Sequence, residues 1–554
     1  MTNKQYTVGI DFGSLSARCI VADLNGHTVG EATVEYPHGV MDKELSSGVL
    51  LPPKFALQDP SDYLYCFKKS VKDALDAAEV SASSVIGIGI DFTGCTMLPV
   101  DEKYLPLCMK AEFKDNPHAY VKLWKHYAAT EEAEILNRIA KERNEEFLKN
   151  CGEYISPEWL FPKIFETLRK APEVYSETYR FVEAADWLVT LITGNECCSA
   201  NFASFKAHWR KESGYPSEEF LRNVSPYLAS TVYSKLQHKI TSISECAGRL
   251  NEKGSEILGL NQGIAVSTPY LDSHVAMPAL GLNHPTDSML IIGTSLVFIT
   301  NSTENKSFKG YMGCAKDAIF DGLYTYEAGQ ASVGDTFDWF VKNCVPETYE
   351  KEARELGINI HALLRMKAAS LAVGESGLIA LDWHSGNRSP LSDHTLSSVM
   401  LGINMSTRPE EMYRAWLEAI AYGTRAIKEC FEDGGVSVGR VVASGGIALK
   451  DELLMQIYAD VLNREIEVSA LKQAPAHGAA AFAAVAAGVF PDINEAIKAF
   501  SGSIARVYKP IRENVEKYNV LYKEVKTLRD YFTSGKNDVM KKMFAQRMGR
   551  EAID

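Results

Sequence analysis

Two strand–turn–strand segments, far apart in the chain, constrain this sequence most. Val8 to Asp23 reads VGIDFGSLSARCIVAD: an apolar run ends in Asp11, Gly13 and Ser14, and a second, Cys19 to Ala22, follows at hairpin distance. Leu290 to Asn301, LIIGTSLVFITN, repeats the plan, with Gly293, Thr294 and Ser295 at its turn. Glycine at such a turn lets the backbone come close to a phosphate, and Ser14 and Ser16 add hydroxyls. Asp11, at a strand end, is placed to hold Mg²⁺ through water. Either segment alone reads equally well as an ordinary polar hairpin. Their repetition points to two related domains gripping one polyphosphate between them.

A chain of 554 residues has room for two or more domains. Its 46% hydrophobic and 23% charged content is that of a soluble globular protein. The net charge of −13 argues against a general nucleic-acid binder, since no basic face can neutralise phosphates. ATP stays open, because backbone N–H groups and Mg²⁺ hold it locally. Eleven cysteines without a CxxC pair, two of them the adjacent Cys197 and Cys198, fit reduced thiols in a cytoplasm. Asp11 interrupts the early apolar run, so no secretory leader is visible. The longest apolar run, Gly478 to Phe490, has 13 residues, too few to span a bilayer. A cytoplasmic protein with no membrane partner is expected.

The first hundred residues read as strands with one helix. Val29 to Tyr36 is a third strand, and Asp59, Pro60 and Ser61 open a helix to about Ala78. Val85 to Phe92, VIGIGIDF, is apolar enough for a central strand covered on both faces, and it ends in Thr93, Gly94, Cys95 and Thr96. From Ala119 to Arg210 the pattern is helical and rich in tryptophan (Trp124, Trp159, Trp187, Trp209), as for an insertion on the first domain. Such tryptophans are usually packing. Lys206 is a lone cation among aromatic and small residues, and reads either as a ligand or as a surface lysine lying over a tryptophan. A strand at Ile264 to Ser267 leads into TPYLDSH, Thr268 to His274. His274 and His477 are isolated and read as structural.

A second domain runs from about Pro285. It holds YEAGQASVGDTFDWF at Tyr326 to Phe340 and a loop, GNRSP, at Gly386 to Pro390. A long helix from about Pro409 to Glu432 is stopped by Gly434 and Gly435. A strand at Arg440 to Ala443, the turn Ser444 to Gly446, a helix to Leu462 and a strand at Ile466 to Val468 follow. The alanine-rich helix from His477 to Ala487 should be buried. The alternation predicts α/β layers in both halves, and a C-terminal helix with a loose end after about Pro510.

No GxxxxGK[ST] loop occurs, so a Walker-type ATPase is not indicated. Asp11 to Gly13 spell DFG, but no HRD loop accompanies them, which excludes a protein kinase. Taken together, DFGS at Asp11, LDSH at Leu271, IGTS at Ile292, GNRSP at Gly386 and SGG at Ser444 resemble the FGGY carbohydrate kinases, over about residues 6 to 510. The resemblance implies two actin-like, ribonuclease H-like ATPase domains with ATP in the cleft between them. These are 1–284 for the sugar, with a helical insertion, and 285–510 for the nucleotide, with a helix and tail at 511–554. It implies Asp11 near Mg²⁺, Gly13 and Ser14 with Gly293, Thr294 and Ser295 at the phosphates, and Gly445, Gly446 and Lys450 beside the nucleotide.

Within the family, glycerol kinases carry an Asn-Gln-Arg-Glu run after this first-domain strand, and xylulokinases a Gln-Met-His-Gly run. DFTGCTMLP, Asp91 to Pro99, instead resembles the pattern of the family's L-ribulose kinases, as do EAGQASVGD at Glu327 and GGIALKDELLMQIYADVLNR at Gly445. That likeness implies transfer to the 5-hydroxyl of ribulose in L-arabinose catabolism, with Gly94, Cys95, Lys206, Asp272 and Glu327 at the sugar. Phe202 to Phe205 are bulkier than the small residues such a site is expected to have there. The chemistry agrees: a sugar hydroxyl needs a carboxylate to accept its proton, and Asp272 is the natural base. D-Ribulose, xylulose or ribitol are alternative substrates. An actin-like ATPase switch is the rival from another class, but it needs neither Asp272 nor the insertion. Assembly as a homodimer is left open.

Overall fold

The computed structural model describes residues 4–237 and 239–547, and the last residues of the expected tail, 548–554, lie outside them. Two mixed sheets with the same strand order form its two halves. In the first, Tyr6–Phe12, Ser16–Asp23 and Thr28–Glu35 make an antiparallel meander. Val85–Phe92 then lies parallel to Tyr6–Phe12, and Ala265–Ser267 parallel to Val85–Phe92. The short strand Tyr270–Leu271 extends that parallel edge along the end of Val85–Phe92. In the second sheet, Ser288–Ile292, Leu296–Ser302 and Tyr324–Gln330 are antiparallel, while Val441–Ser444 and Ile466–Ser469 continue in parallel. The repeated turns read from the sequence are the first hairpins of these two sheets.

The sequence patterns explain the elements. Pro60–Ala78 is a helix with Asp59 accepting from the Ser61 N–H at its start. Its buried face covers the first sheet so tightly that a Cβ on Gly30 would lie 2.4 Å from the Ala74 carbonyl oxygen. Pro409–Asp433 is the long helix of the second half, closed at Gly434. The segment expected as one helix to Leu462 is broken at Asp451 into Gly446–Lys450 and Glu452–Leu462; the Asp451 carboxylate caps the second by accepting from the Leu454 N–H. The insertion carries helices such as Leu160–Lys170 and Ala200–Lys206. Its strands Val121–Lys122 and Arg180–Glu183 join Leu57–Gln58 and Met97–Val100 of the preceding chain in a small sheet. Strands of two to four residues are too short to leave a period in the sequence. Two helices, Arg512–Thr533 and Val539–Arg547, follow the second sheet. No helix among the described residues is long and apolar enough to cross a membrane.

The helix Ala474–Ala486 joins the halves. It comes late in the chain, beyond the strands of the second sheet's parallel side, yet it packs on the first sheet. The contact is backbone on backbone. A Cβ on Gly9, Gly89 or Gly87 would lie 1.8, 2.0 or 2.4 Å from the carbonyl oxygens of Ala476, Ala479 and Ala483. On its other side, Gly478 meets the Val275 carbonyl oxygen of the Asp272–Ala279 helix at 1.8 Å by the same measure. Small residues on both partners let this helix sit directly on the strands that end in Asp11 and Asp91.

A methyl group therefore cannot enter this junction without backbone movement. Gly89→Ala is expected to lose about 1–3 kcal/mol, the usual cost of overpacking. Gly446→Ala, whose Cβ would meet nothing within 4 Å, should stay within about 0.5 kcal/mol of the parent. Urea unfolding followed by circular dichroism compares the two; equal midpoints would refute the tight junction.

Candidate active site

Three carboxylates come together because of strand register. Asp11 is paired with Asp91 across the parallel strands, Phe12 with Phe92, and Tyr270 and Leu271 with Asp91 and Phe92. Asp11 and Asp91 thus stand side by side at strand ends, and Asp272 follows directly on the next strand. The stacked rings of Phe12 and Phe92, 4.8 Å apart, seal the sheet beneath them. Arg18, opposite Asp11 on the hairpin, donates to its Oδ2 at 2.9 Å. It also occupies the space in front of Gly13, where a Cβ would lie 2.8 Å from its Nη2.

The charges are costly to bury and their acidities respond. Burial raises Asp11 above its ordinary value, while Arg18 opposes the rise. Burial and then the carboxylates of Asp11 and Asp272 push Asp91 well above the carboxylate range. Neither oxygen of Asp91 receives an N–H or hydroxyl donor, and a proton on Asp91 would bond to the neighbouring Asp11 carboxylate. Asp272, half-buried and accepting from the Ser273 N–H at 2.7 Å, is raised by burial and Asp11 to about 7. A carboxyl with that value takes and releases protons near neutrality.

These oxygens are hard donors of the kind Mg²⁺ takes, and the oxygens of Asp91, which receive no N–H or hydroxyl, leave demand for a cation or its waters. Among the described residues no group of three or more His, Cys, Asp or Glu could hold an ion alone. The donor set therefore fits a cation that shares its shell with phosphates and water.

Beside this edge, Lys206 and Glu327 meet across the two halves. The Lys206 Nζ donates to both Glu327 oxygens at 3.2 and 3.3 Å, and both side chains are buried. Asn201 donates to His274 Nδ1 at 3.0 Å, which leaves Nε2–H to donate to Glu327 at 3.1 Å. Burial raises Glu327, but Lys206 and His274 outweigh it and hold the carboxylate well below its usual range. His274 is thus a partner of a predicted site residue.

The loop after Asp91 is fastened from below. Thr93 and Thr96 hydroxyls bond at 2.8 Å, and the Thr96 N–H donates to Glu183 at 2.8 Å. Gly94 is pressed against Leu271 and Phe202, the latter 2.9 Å from where its Cβ would be. Cys95 has no accessible surface, and its carbonyl accepts from buried Lys163 at 2.7 Å. Its thiol therefore does not line an open site. Phe202 and Phe205 are buried too: Phe205 packs on His274 at 4.3 Å, so their bulk fills the core.

The second turn mirrors the first: Gly293 N–H donates to the Ser295 carbonyl at 2.9 Å, as Gly13 does to Ser16 at 3.0 Å. Thr294 is exposed. Gly445, with φ +105°, comes from the neighbouring parallel strand, and a Cβ there would lie 2.5 Å from the Ile292 carbonyl oxygen. Gly446 faces open space and Lys450 is exposed at the end of its helix. In the first turn, the Ser14 hydroxyl accepts from the Trp124 indole at 2.9 Å, so the insertion reaches it.

Arg18, Asp91, Trp124 and His274 escaped the sequence reading as parts of this site. Asp91 had a signal: GIDF ends both Gly9–Phe12 and Gly89–Phe92, so two strands finish in the same acid.

The family model described as the N-terminal domain of the FGGY family of carbohydrate kinases matches residues 6–279, and that of the C-terminal domain matches 288–487. A ribulokinase of Halalkalibacterium halodurans is 46% identical over 551 residues, covering 98% of each chain. A ribulokinase of Geobacillus thermodenitrificans is 44% identical, covering 98% of this chain and 97% of its own. Among solved structures, a xylulose kinase from Rhodospirillum rubrum superposes with a TM-score of 0.78 at 22% identity, covering 95% of this chain and 99% of its own.

The Lys206–Glu327 pair makes a prediction about acid stability. A depressed carboxylate stabilises the fold above its unfolded value of about 4.3 and loses that contribution as pH falls. Glu327→Gln leaves Lys206 buried without a counter-charge, so it should cost about 3–5 kcal/mol at pH 7. The difference from the parent should shrink as the pH is lowered below about 4.3. Thermal unfolding across pH measures both, and a constant difference would refute the pairing.

Proposed function

The chain belongs to the FGGY family of carbohydrate kinases, and we propose that within it this sugar kinase transfers the γ-phosphoryl group of ATP to the 5-hydroxyl of ribulose, L-ribulose being favoured. The observation that carries the reading is Asp272, with its acidity near neutral, at the strand edge beside the Lys206–Glu327 pair. Relatives of nearly the same length that carry the name ribulokinase support the substrate class. Membership of the family sets aside the rival reading of an ATPase switch.

In this proposal residues 1–284 supply the sugar side, 285–510 the nucleotide side, and 511–554 a supporting helix and tail. Asp272 accepts the proton of the 5-hydroxyl as its oxygen bonds to the γ-phosphorus. The bond from that phosphorus to the β–γ bridging oxygen breaks, and ADP leaves. Gly13, Gly293, Gly445 and Gly446 let the backbone of their turns come close to the phosphates and the nucleotide, with Ser14, Thr294, Ser295 and Lys450 beside them. Asp11 would hold Mg²⁺, which when bound would supply neutralisation of charge on the phosphates. Lys206 donates to a sugar hydroxyl and Glu327 accepts from one, each exchanging part of its present bond to the other. Gly94 seats the loop at the sugar tightly on the core, since a larger residue would clash with Leu271 and Phe202.

Asp272→Asn should lower kcat by about 10²–10⁴-fold while leaving ATP binding intact. In the parent, kcat/KM for ribulose should rise with pH through about 7 as Asp272 loses its proton. A variant keeping more than about a tenth of kcat, well short of the loss expected for a general base, would remove Asp272 from that role.

Substrate choice is read from a sugar panel in a coupled ADP-release assay. A site built to bond a hydroxyl rejects an analogue lacking it by about 10⁴-fold, so glycerol should react very poorly. D-Ribulose, the mirror image, keeps every hydroxyl but inverts both C3 and C4, and it should react more slowly while keeping measurable activity. Higher kcat/KM for D-xylulose or glycerol than for L-ribulose would overturn the assignment.

A further inference from the structure

The Gly386–Pro390 loop of the second half is built rigidly and aimed across the cleft. Gly386, with φ +76°, turns it, and Asn387 and Asp393 exchange backbone bonds of 2.8 Å. The Ser389 hydroxyl accepts from the Gly329 N–H at 3.3 Å, on the same strand as Glu327 and two residues beyond it. This anchoring leaves one side chain, Arg388, extended toward the first half.

Arg388 finds a prepared receptor there. Its Nη2 donates to Glu158 Oε1 at 2.9 Å and to the Tyr127 hydroxyl at 3.3 Å. Tyr127 donates to the same Glu158 oxygen at 2.7 Å, and Ser156 to the other at 3.1 Å. The guanidinium lies 5.7 Å from the centroid of Trp124, whose indole bonds the Ser14 hydroxyl in the first phosphate turn. Arg388 and Glu158 expose only 15% and 8% of their side chains, so the pair is largely shielded from salt and water. Beside it lies a cavity of about 480 Å³ between the insertion, the loop and the Val539–Arg547 helix. The contact is thus a bridge over a gap.

We propose that Arg388 is a positioning residue for the transfer reaction: its clasp on Glu158, Tyr127 and Trp124 holds the insertion and the first phosphate turn in register with the strand carrying Glu327. The inference rests on the sugar-kinase reading of the site. Arg388 touches neither Asp272 nor its neighbouring carboxylates, and it acts through the walls it joins. Arginine suits the task because one Nη2 bonds both Glu158 and Tyr127 while the flat guanidinium lies over the indole; a lysine could bond the pair but not supply the planar face.

Two measurements test it. In hydrogen–deuterium exchange on the full chain without ligands, Glu158→Gln should deprotect residues 386–391 across the cleft. Unchanged exchange there would overturn the clasp whatever the substrate proves to be. In kinetics with L-ribulose and ATP, Arg388→Ala should lower kcat/KM by about 10²-fold, the scale of a misplaced reaction geometry, with ATP affinity within twofold of the parent. Arg388→Lys should recover only part of the loss. The double variant Arg388→Ala with Glu158→Gln should be no worse than the poorer single one. Additive losses, or a loss of ATP affinity matching the loss of rate, would refute a positioning role. Absence of ribulose-dependent turnover in the parent would instead sink the functional reading and leave the exchange result standing.

Discussion

Three carboxyl groups at neighbouring strand ends repel one another, and much of the first half is arranged around that repulsion. At about 4 Å and an effective dielectric near 20, one pair of like charges costs about 4 kcal/mol. Arg18 meets part of the cost by pairing with Asp11. Burial, and behind it the remainder of that repulsion, makes Asp91 and Asp272 weaker acids than ordinary carboxyls. A proton retained on the array is cheaper than a third buried charge, and a bound cation could take its place. Burial and that repulsion together put the Asp272 carboxyl where it can exchange a proton near neutral pH.

The array is held in place by a junction with almost no side chain in it. Gly9, Gly87 and Gly89 let the helix Ala474–Ala486 rest on the strands that end in Asp11 and Asp91. Alanine and glycine supply little apolar area per residue, so close backbone approach makes the contact worth forming. It also ties strand ends of the first half to a helix reached only after the second sheet is nearly complete. The first half therefore depends on the chain's last third for its packing.

Legibility followed locality. The hairpins at Gly13 and Gly293, the helix at Pro60–Ala78 and the long helix at Pro409–Asp433 are encoded within a few turns of sequence, and each was readable there. Lys206 stood out as a cation among apolar residues, but its partner Glu327 lies on another sheet, and no local pattern joins them. Arg18 looked like an ordinary strand residue, because its meaning comes from cross-strand register with Asp11. Cys95 was expected at the sugar from the resemblance, and the buried Lys163 bonded to its carbonyl shows how it is enclosed instead. The alanine-rich helix was legible as buried, while the sheet it covers was not.

The two halves repeat one strand order, yet their strand ends differ in chemistry. In the first sheet the parallel strands finish in Asp11, Asp91 and Asp272. In the second, the equivalent strands run out into Gly293, Thr294 and Ser444 to Gly446, which offer hydroxyls, uncharged backbone and, at Gly446, empty space. An acidic edge repels a bare polyphosphate, whereas a glycine and hydroxyl edge accepts one. Under the proposed function this asymmetry orients the reaction: the anionic donor is held from the second half, and its terminal phosphoryl group faces the base on the first. Buried contacts that cross between the halves, among them Lys206 with Glu327 and Arg388 with Glu158, add to the helix junction in fixing the spacing of the two edges.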